Sequence, residues 1–349
     1  MLGVQSPLRL TIDGSALAAN WRWLAARSGS AACGAAVKAD GYGLGAEATV
    51  RQLVRAGCRD FFVATWAEAD AVRPMLEGAA LSVLHGVGAD DMPQAMLSDA
   101  RPVLNSAAQV ARWKANASGR PCDVMVDTGM NRLGISPAEA TSGLLDGLAV
   151  DTLMSHLACA DVPNDPMNER QRAAFQELRR AVPAARYSLA NSAGILLGAD
   201  YAHDLTRPGL ALYGGRPQPA ADGHIAPVAR IEARIVQRRR VSAGQTIGYN
   251  ATFETRRDME VAILNIGYAD GYFRGFSDAG HALAGGAVLP VVGRVSMDLT
   301  AVCVDAAAGL DEGEWVELGF DLPASAAASG MSQYELLTGL GHRYQRIWS

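Results

Sequence analysis

Short apolar runs recur along the first two thirds of the 349-residue chain, and amphipathic segments lie between them. Residues 45–57 show the intervening pattern: apolar positions repeat at steps of three and four, as in a helix packed on a core, and the pattern stops at Gly57. Strands that are apolar on both faces and alternate with helices predict a parallel sheet. The eight runs are residues 33–37, 60–64, 81–85, 101–105, 122–127, 151–156, 186–190 and 203–207.

Eight strand-and-helix units are the number that closes a barrel, so the pattern predicts a TIM-type (β/α)8 barrel. An open, doubly wound sheet is the alternative that the same alternation allows. After residue 226 the pattern changes to alternating, β-branched segments separated by turns, and helical periodicity returns only at residues 332–341. We therefore predict a barrel over residues 9–226 and a mostly β domain over residues 227–349, with residues 1–8 as a candidate addition to the β domain.

Composition narrows the class of protein. A hydrophobic fraction of 49% is enough for two cores, and a net charge of −5 without a long basic segment argues against binding to nucleic acid. No apolar stretch reaches about 18 residues, the length that spans a membrane, and the N-terminus lacks a signal-peptide pattern. Five cysteines without a C-x-x-C pair fit a reducing compartment, and six histidines without ligand spacing argue against a metal site. We expect a soluble, cytoplasmic protein without a bound metal.

Polar side chains follow the apolar runs, at the strand ends where barrel enzymes carry their chemistry. Strand ends also border polar loops, so position alone does not separate a catalytic residue from a structural one. The residues at or just beyond the run ends are Lys38, Thr65, His85, Asn105, Asp127 with Arg132, His156, Asn191 with Ser192, and Arg207.

Lys38 and Tyr42 give the most specific chemical signal among these positions. An amine at a crowded barrel mouth loses its proton more readily and can form a Schiff base with an aldehyde, whereas an ordinary loop lysine stays in solvent. Tyr42 lies in the stretch G-Y-G-L-G, where backbone amides can approach an anion and a phenol can donate to phosphate. Gly209 and Leu210 follow the eighth run, the usual phosphate position of such barrels. A Schiff-base lysine facing a phosphate site indicates pyridoxal 5′-phosphate (PLP).

Eight motifs occur in order along the chain: AVKADGYGLG, VDTGMNRLG, SHLACAD, LANSAG, RPGLALYG, IGYNATF, IGYADGY and GRVSMD. Together they resemble the bacterial alanine racemases over essentially the whole chain. The resemblance implies a PLP-binding barrel followed by a β domain, and interconversion of L-alanine and D-alanine as the activity. It also implies a head-to-tail homodimer in which each active site borrows residues from the partner's β domain.

The resemblance implies a role for each matching residue. Lys38 would carry PLP and act as one catalytic base, and Tyr249 would be the second base. Arg132 would bind the substrate carboxylate. Arg207 would hydrogen-bond the pyridine nitrogen, with His156 in the same network.

The remaining implied contacts concern the phosphate and the substrate pocket. The phosphate would be held by Tyr42, Ser192, Gly209, Leu210 and Tyr344. The partner subunit would contribute Tyr268 and Met297 at the entrance and the substrate pocket.

These implied roles agree with the chemistry of racemisation. The Cα proton must leave on one face and return on the other, so two bases must flank the bound amino acid. A free phenol has a pKa near 10, so ionising Tyr249 at neutral pH costs about 4 kcal/mol; Arg207 and His156 are the expected sources of a compensating field. Arg207 would also disfavour a protonated pyridine nitrogen, which we expect to limit side reactions at the expense of rate.

Two positions depart from the pattern of the family. Many relatives have a modified lysine seven residues before the arginine of G-M-x-R-L-G, and that lysine orients the arginine; here the position is Met125. Arg132 must therefore be oriented by another group, either an anion or a neighbouring carboxamide. Ser188 replaces the histidine or similar residue that precedes A-N-S-A-G in many relatives, and we expect a looser network around Arg207.

Four alternatives compete with this interpretation. A racemase that prefers serine or another small amino acid is one, because a single methylene changes binding by only about 1–3 kcal/mol. A PLP-dependent decarboxylase of the same architecture would be expected to place an acid where Arg207 lies. A PLP carrier protein would resemble the barrel alone, and a structural barrel without a cofactor leaves Lys38 and Tyr42 unexplained.

Overall fold

The structure is a computed structural model that describes residues 6–349. It separates into two compact units, one formed by residues 17–226 and the other by residues 6–16 together with residues 227–349. Within residues 6–349, no helix has both the length and the apolar character that a membrane crossing requires. In the same part of the chain, no cluster of three or more His, Cys, Asp or Glu side chains could hold a metal ion.

The chain begins with strand β1 (Leu8–Ile12) and helix α1 (Gly14–Arg27). Nine short strands follow: β2 (Ala32–Cys33), β3 (Ala35–Ala36), β4 (Asp60–Val63), β5 (Ala80–Val83), β6 (Arg101–Leu104), β7 (Pro121–Met125), β8 (Ala149–Met154), β9 (Arg186–Ser188) and β10 (Leu205–Thr206). The helical segments between them are α2 (Lys38–Tyr42), α3 (Ala46–Ala56), α4 (Trp66–Val72), α5 (Met92–Leu97), α6 (Ala107–Asn116), α7 (Pro137–Thr141), α8 (Pro166–Ala181) and α9 (Ser192–Leu196). Each of the eight apolar runs therefore contains a strand.

These strands form a closed ring. Strands β3 to β9 pair in sequence order, and all six pairings are parallel. Strand β10 pairs in parallel with β2, and the Arg207 N–H donates to the Ala190 carbonyl just beyond β9. The eighth run thus joins the seventh run to the first, which confirms the barrel and excludes the open sheet. The run at residues 33–37 is split into two strands by Gly34, where a Cβ would lie 2.8 Å from the Asp60 carbonyl oxygen.

The unit formed by residues 6–16 and 227–349 is built on an eight-stranded sheet, in which antiparallel pairings predominate, and a small hairpin. Its strands after β1 are β11 (Ala229–Val241), β12 (Thr246–Ile247), β13 (Phe253–Glu254), β14 (Met259–Leu264), β15 (His281–Ala284), β16 (Ala287–Pro290), β17 (Thr300–Cys303), β18 (Trp315–Leu318) and β19 (Gln345–Trp348). Two helices, α10 (Leu322–Ser329) and α11 (Gln333–Thr338), follow β18. The predicted mostly β domain is confirmed.

Strand β1 belongs to this second unit, which corrects the prediction that residues 9–16 are part of the barrel. It pairs antiparallel with β11, Leu8 opposite Ala233, and parallel with β19, Arg9 opposite Gln345. Alternate residues of β1 are buried in the sheet, so its apolar face contributes to the β core. Of residues 1–8, the candidate addition to the β domain, residues 1–5 lie outside the described residues.

Candidate active site

Lys38 lies directly after the first barrel run and opens an unusual turn. Residues 39–42 all have left-handed backbone conformations, with φ between 52° and 61°, although only Gly41 is a glycine. Left-handed geometry costs L-residues roughly 1–2 kcal/mol each, so the surrounding contacts must hold it in place. Asp40 contributes one of them, because its Oδ1 accepts a hydrogen bond from the Ala46 N–H at 2.8 Å, where α3 begins.

The Lys38 amine lies in a partly buried, positively charged environment. Burial is the main cause of a pKa below the usual lysine value, and the Arg132 guanidinium lowers it further, whereas the Glu68 carboxylate raises it. Lys38 and Arg132 also lower the pKa of His156 by their charges. The structure therefore brings Lys38, Arg132 and His156 to one mouth of the barrel, as predicted from the run ends.

Tyr42, Ser192 and Gly209 converge into a cradle of donors close to the turn. Tyr42 is buried and stacks on Tyr213, with 4.6 Å between ring centroids. Ser192 Oγ accepts hydrogen bonds from the backbone N–H groups of Gly209 (2.9 Å) and Ala211 (3.2 Å). A Cβ at Gly209 would collide with the Tyr42 hydroxyl, so the absence of a side chain there lets the phenol approach the backbone. The Tyr42 and Ser192 hydroxyls thus lie at the same backbone segment, and hydroxyl groups suit an anion such as phosphate.

Leu210 is the next residue along this cradle. It is 2% exposed and begins the helical turn Leu210–Tyr213 directly after Gly209. Leu210 lies between Gly209 and Ala211, whose N–H groups both donate to Ser192. The predicted Gly209–Leu210 segment therefore lies next to Ser192 and Tyr42.

Arg207 is buried inside the barrel, 6% exposed, and protein groups accept from both of its terminal nitrogens. Nη2 donates to the Ser155 carbonyl at 2.5 Å, and Nη1 donates to Ser188 Oγ, which in turn donates to the Leu205 carbonyl. Burial lowers the pKa of Arg207 to about 10, partly offset by the charge of Asp123, so it remains a cation at neutral pH. Ser188, which departs from the pattern of the family, is a direct acceptor for Arg207 here, and the looser network remains a prediction.

His156 is neutral at physiological pH. Burial, followed by the charges of Arg207, Arg132 and Lys38, lowers its pKa to about 3. A neutral imidazole supplies no net positive field, so the expectation that His156 helps to ionise Tyr249 by its charge is wrong. Arg207 is the cation at this position.

The backbone of Arg132 is held by the loop that carries it. The loop that carries it is closed at its base by hydrogen bonds from the Asp127 N–H to the Ile135 carbonyl (2.9 Å) and from the Ile135 N–H to the Met125 carbonyl (3.0 Å). Inside the loop, the Asp127 carboxylate accepts from the N–H groups of Gly129 (2.8 Å) and Arg132 (3.0 Å). Met125 is 7% exposed and packs in the core of the barrel. The sequence pointed to Asp127 as a strand-end residue but not to this role.

The other predicted residues lie in the β unit. The Tyr249 side chain is 61% exposed and that of Met297 is 53% exposed, both unusually high for large apolar or aromatic groups. The Tyr268 ring lies 5.3 Å from the Arg274 guanidinium carbon. Tyr344 is 5% exposed, and its hydroxyl donates to the Asp270 carbonyl at 2.9 Å. This phenol is used inside the core of the β unit, so the prediction that Tyr344 holds a phosphate is withdrawn.

Comparisons with known proteins agree with this geometry. Residues 12–217 match the family described as alanine racemase, N-terminal domain, and residues 228–348 match the alanine racemase, C-terminal domain. Similar curated proteins include the biosynthetic alanine racemase of Agrobacterium fabrum, 44% identical over 98% of this chain and 94% of the relative, and the catabolic alanine racemase of Mesorhizobium japonicum, 42% identical over 97% and 92%.

A solved structure gives the same result. The alanine racemase of Bartonella henselae, crystallised with covalently bound pyridoxal phosphate, is 36% identical, with a TM-score of 0.90 over 98% of this chain and 99% of that one. Three findings agree on the family: two consecutive domain matches, curated relatives above 40% identity, and a structural likeness along the whole length. The chain belongs to the alanine racemase family.

Proposed function

We propose that the protein is a PLP-dependent racemase that interconverts L-alanine and D-alanine, with Lys38 and Tyr249 as the two bases. The observation that carries this proposal is the barrel mouth, where a desolvated Lys38 amine lies beside Arg132 and His156 and directly precedes the turn to Tyr42 in the anion cradle. The resemblance in motifs and the membership of the family support the same reaction.

The residues present fit PLP. Tyr42, Ser192 and the backbone of Gly209 and Leu210 would hold its phosphate, because they already form a cradle of hydroxyl and N–H groups. Lys38 would carry the cofactor, and Arg207, which is buried and still cationic, would face the pyridine nitrogen. When bound, PLP supplies the electron sink that makes the Cα proton of an amino acid removable.

The protein's own contribution is to move that proton. Lys38 can exchange a proton at Nζ more readily than a lysine in solvent, because burial and the Arg132 charge lower its pKa. The Tyr249 hydroxyl would give and take the proton on the opposite face of the amino acid. Arg132 would bind the substrate carboxylate, since its guanidinium is exposed and the Asp127 carboxylate fixes its backbone.

We propose further that the active protein is a homodimer with shared active sites. The exposure of Tyr249 and Met297 supports this, because both would be covered if they reached the barrel mouth of a second copy, together with Tyr268. All five cysteines are free thiols, which suits a cytoplasmic location. The role that we propose in the cell is supply of D-alanine for peptidoglycan, supported by the relative named biosynthetic.

The reaction is tested by incubating the purified, PLP-loaded protein with L-alanine or L-serine and measuring the D-enantiomer by a chiral assay. We expect D-alanine from the wild type and none from Lys38→Ala. A preference for serine would correct the substrate, and release of carbon dioxide without D-amino acid would replace the racemase by the decarboxylase.

Subunit sharing is tested by mixing two inactive variants, Lys38→Ala and Tyr249→Phe. Subunit exchange gives heterodimers in which one site has both bases, so activity should return. Proven exchange without any return of activity would show that Tyr249 does not act across subunits. A strain that lacks the protein and still grows without added D-alanine would contradict the proposed role in the cell.

A further inference from the structure

Glu68 lies in the first turn of helix α4, in an arrangement that helices α7 and α11 share. The Thr65 hydroxyl accepts a hydrogen bond from the Glu68 N–H (3.2 Å), and Glu68 Oε2 accepts from the Thr65 N–H (3.2 Å). Such a reciprocal capping box satisfies free backbone donors at the start of a helix. The same arrangement links Ser136 to Glu139 in α7 and Ser332 to Glu335 in α11.

The Glu68 carboxylate also accepts hydrogen bonds from two residues outside this capping box. Oε1 accepts from the backbone N–H of Ala39 at 2.8 Å, and Oε2 accepts from the Ala64 N–H at 2.7 Å. One side chain therefore joins the residue after Lys38 to the segment that follows strand β4. Among residues 6–349, Ser136 is the sole donor of side-chain hydrogen bonds to the Glu139 carboxylate.

The Ala39 N–H, which donates to Glu68, lies at the start of the left-handed turn. Ala39, Asp40 and Tyr42 each adopt a positive φ that L-residues avoid, so the turn depends on contacts outside itself. A hydrogen bond to an ionised carboxylate is among the stronger contacts available to a backbone N–H. Losing it would free the turn that connects Lys38 to Tyr42.

Glu68 is also the anion in the surroundings of the Lys38 amine. The charged and titratable groups that act there are Arg132 from the loop after β7, His156 from the loop after β8, with Arg207 beside it, and Glu68 from α4. Burial and Arg132 lower the pKa of Lys38, and Glu68 raises it. When Nζ takes up a proton, Glu68 is the group whose charge stabilises the resulting ammonium.

We propose that Glu68 is a positioning residue for Lys38: its carboxylate holds the Lys38–Tyr42 turn against the end of β4 and keeps a negative charge facing the amine. The inference rests on the proposed function, because it requires Lys38 to be the residue that carries PLP. Glu68 does not touch the reacting atoms and acts through Lys38.

The test compares Glu68→Gln with the matched control Glu139→Gln, in which the same kind of capping box loses its charge far from Lys38 in sequence. Full-length protein freed of cofactor is mixed with PLP, and the absorbance of lysine-bound cofactor is followed over time across a range of pH. In this step the neutral Lys38 amine adds to the aldehyde carbon of PLP, and water leaves. Hydrogen exchange at the Ala39 N–H is measured on the same proteins.

In Glu68→Gln, a neutral amide cannot accept from both Ala39 and Ala64, because its NH2 group is a donor. Exchange at Ala39 should accelerate about tenfold or more, and capture of PLP should slow by a similar factor at its best pH. The pH profile of capture should also move to lower pH, because the amine has lost its anion. Glu139→Gln should match the wild type in all three measurements.

Equal behaviour of Glu68→Gln and Glu139→Gln would overturn the inference. If Glu68→Gln does not fold, Glu68→Asp replaces it: the charge remains, but the shorter side chain does not reach Ala39. Ala39 should then exchange faster with a smaller change in pH profile, and wild-type protection in this variant would overturn the inference. Failure of the wild type to capture PLP, or capture that persists in Lys38→Ala, would instead overturn the proposed function.

Discussion

The carboxylate of Asp127 accepts a hydrogen bond from the backbone N–H of Arg132 at 3.0 Å. Partial burial acts in the opposite direction, but the N–H groups of residues 129–132 together lower the pKa of Asp127, so the carboxylate stays ionised at working pH. Many relatives orient the corresponding arginine through a modified lysine, whose position here is Met125. In this chain the backbone of the loop that carries Arg132 donates to the Asp127 carboxylate instead.

Replacing Asp127 should therefore weaken substrate binding. In Asp127→Ala the loop loses its internal acceptor, and a hydrogen bond to a charged group is worth about 1.5–3 kcal/mol, so KM for alanine should rise about tenfold or more. Asp91→Ala is the matched control, because Asp91 accepts from the Gly88 N–H at 2.7 Å in the loop after β5. Steady-state kinetics check this, and an equal KM in both variants would show that Asp127 does not position Arg132.

Gly209 should not tolerate even one added carbon. A Cβ would meet the Tyr42 hydroxyl, and overpacking of this kind costs about 1–3 kcal/mol, so the Kd for PLP in Gly209→Ala should rise about tenfold to a hundredfold. Gly309→Ala serves as the control, since nothing lies within 4 Å of a Cβ there. Titration with PLP measures both, and wild-type affinity in Gly209→Ala would remove this residue from the phosphate cradle.

Ser188 should matter more for stability than an ordinary buried serine. Ser188→Ala leaves an Arg207 N–H without its acceptor inside the barrel, which costs about 1–3 kcal/mol in free energy of unfolding. Ser28→Ala is the comparison, because Ser28 is also buried but its hydroxyl bonds neutral groups, among them the Leu24 carbonyl and the Thr206 hydroxyl. Urea unfolding gives both values. A loss in Ser188→Ala no larger than in Ser28→Ala would mean that Arg207 finds another acceptor.

His156 should contribute to sensitivity to acid. Its pKa in the folded protein is about 3, below the usual 6.5, so the unfolded chain binds more protons between these values. Stability that is present above about pH 6.5 is therefore lost as the pH falls towards 3. His156→Gln should lose less stability than the wild type between pH 6.5 and 4, whereas His342→Gln, at an exposed position, should follow the wild type. Parallel urea curves for His156→Gln and wild type across this range would contradict the assignment.

The barrel could be predicted because each strand is a local apolar run. The same locality explains what could not be predicted. Strand β1 pairs with β11 and β19, more than 200 residues away, and a five-residue alternating pattern does not say which sheet it will join. The division of the first run depends on how closely Gly34 approaches Asp60 and Phe62, which is a property of packing.

The position of the site could also be predicted from the sequence, whereas the residues that support it could not. Lys38, Arg132, His156 and Arg207 follow strands, so their position at one barrel mouth is a consequence of parallel pairing. The residues that hold them are less visible. Glu68 carries only the signal of a helix start, because a threonine followed three residues later by glutamate is common to many helices. The sequence also could not show that Tyr344 is used inside the β unit.

The central claim is that Lys38 and Tyr249 transfer protons on opposite faces of alanine. It is tested most directly by proton NMR in deuterated water, following loss of the Cα proton from L-alanine and, separately, from D-alanine. The PLP-loaded wild type should exchange the Cα proton of both and interconvert them. Tyr249→Phe should still exchange the proton of one enantiomer, by Lys38 alone, without forming the other. Racemisation at the wild-type rate in Tyr249→Phe, or loss of exchange from both enantiomers in that variant, would contradict the two-base account.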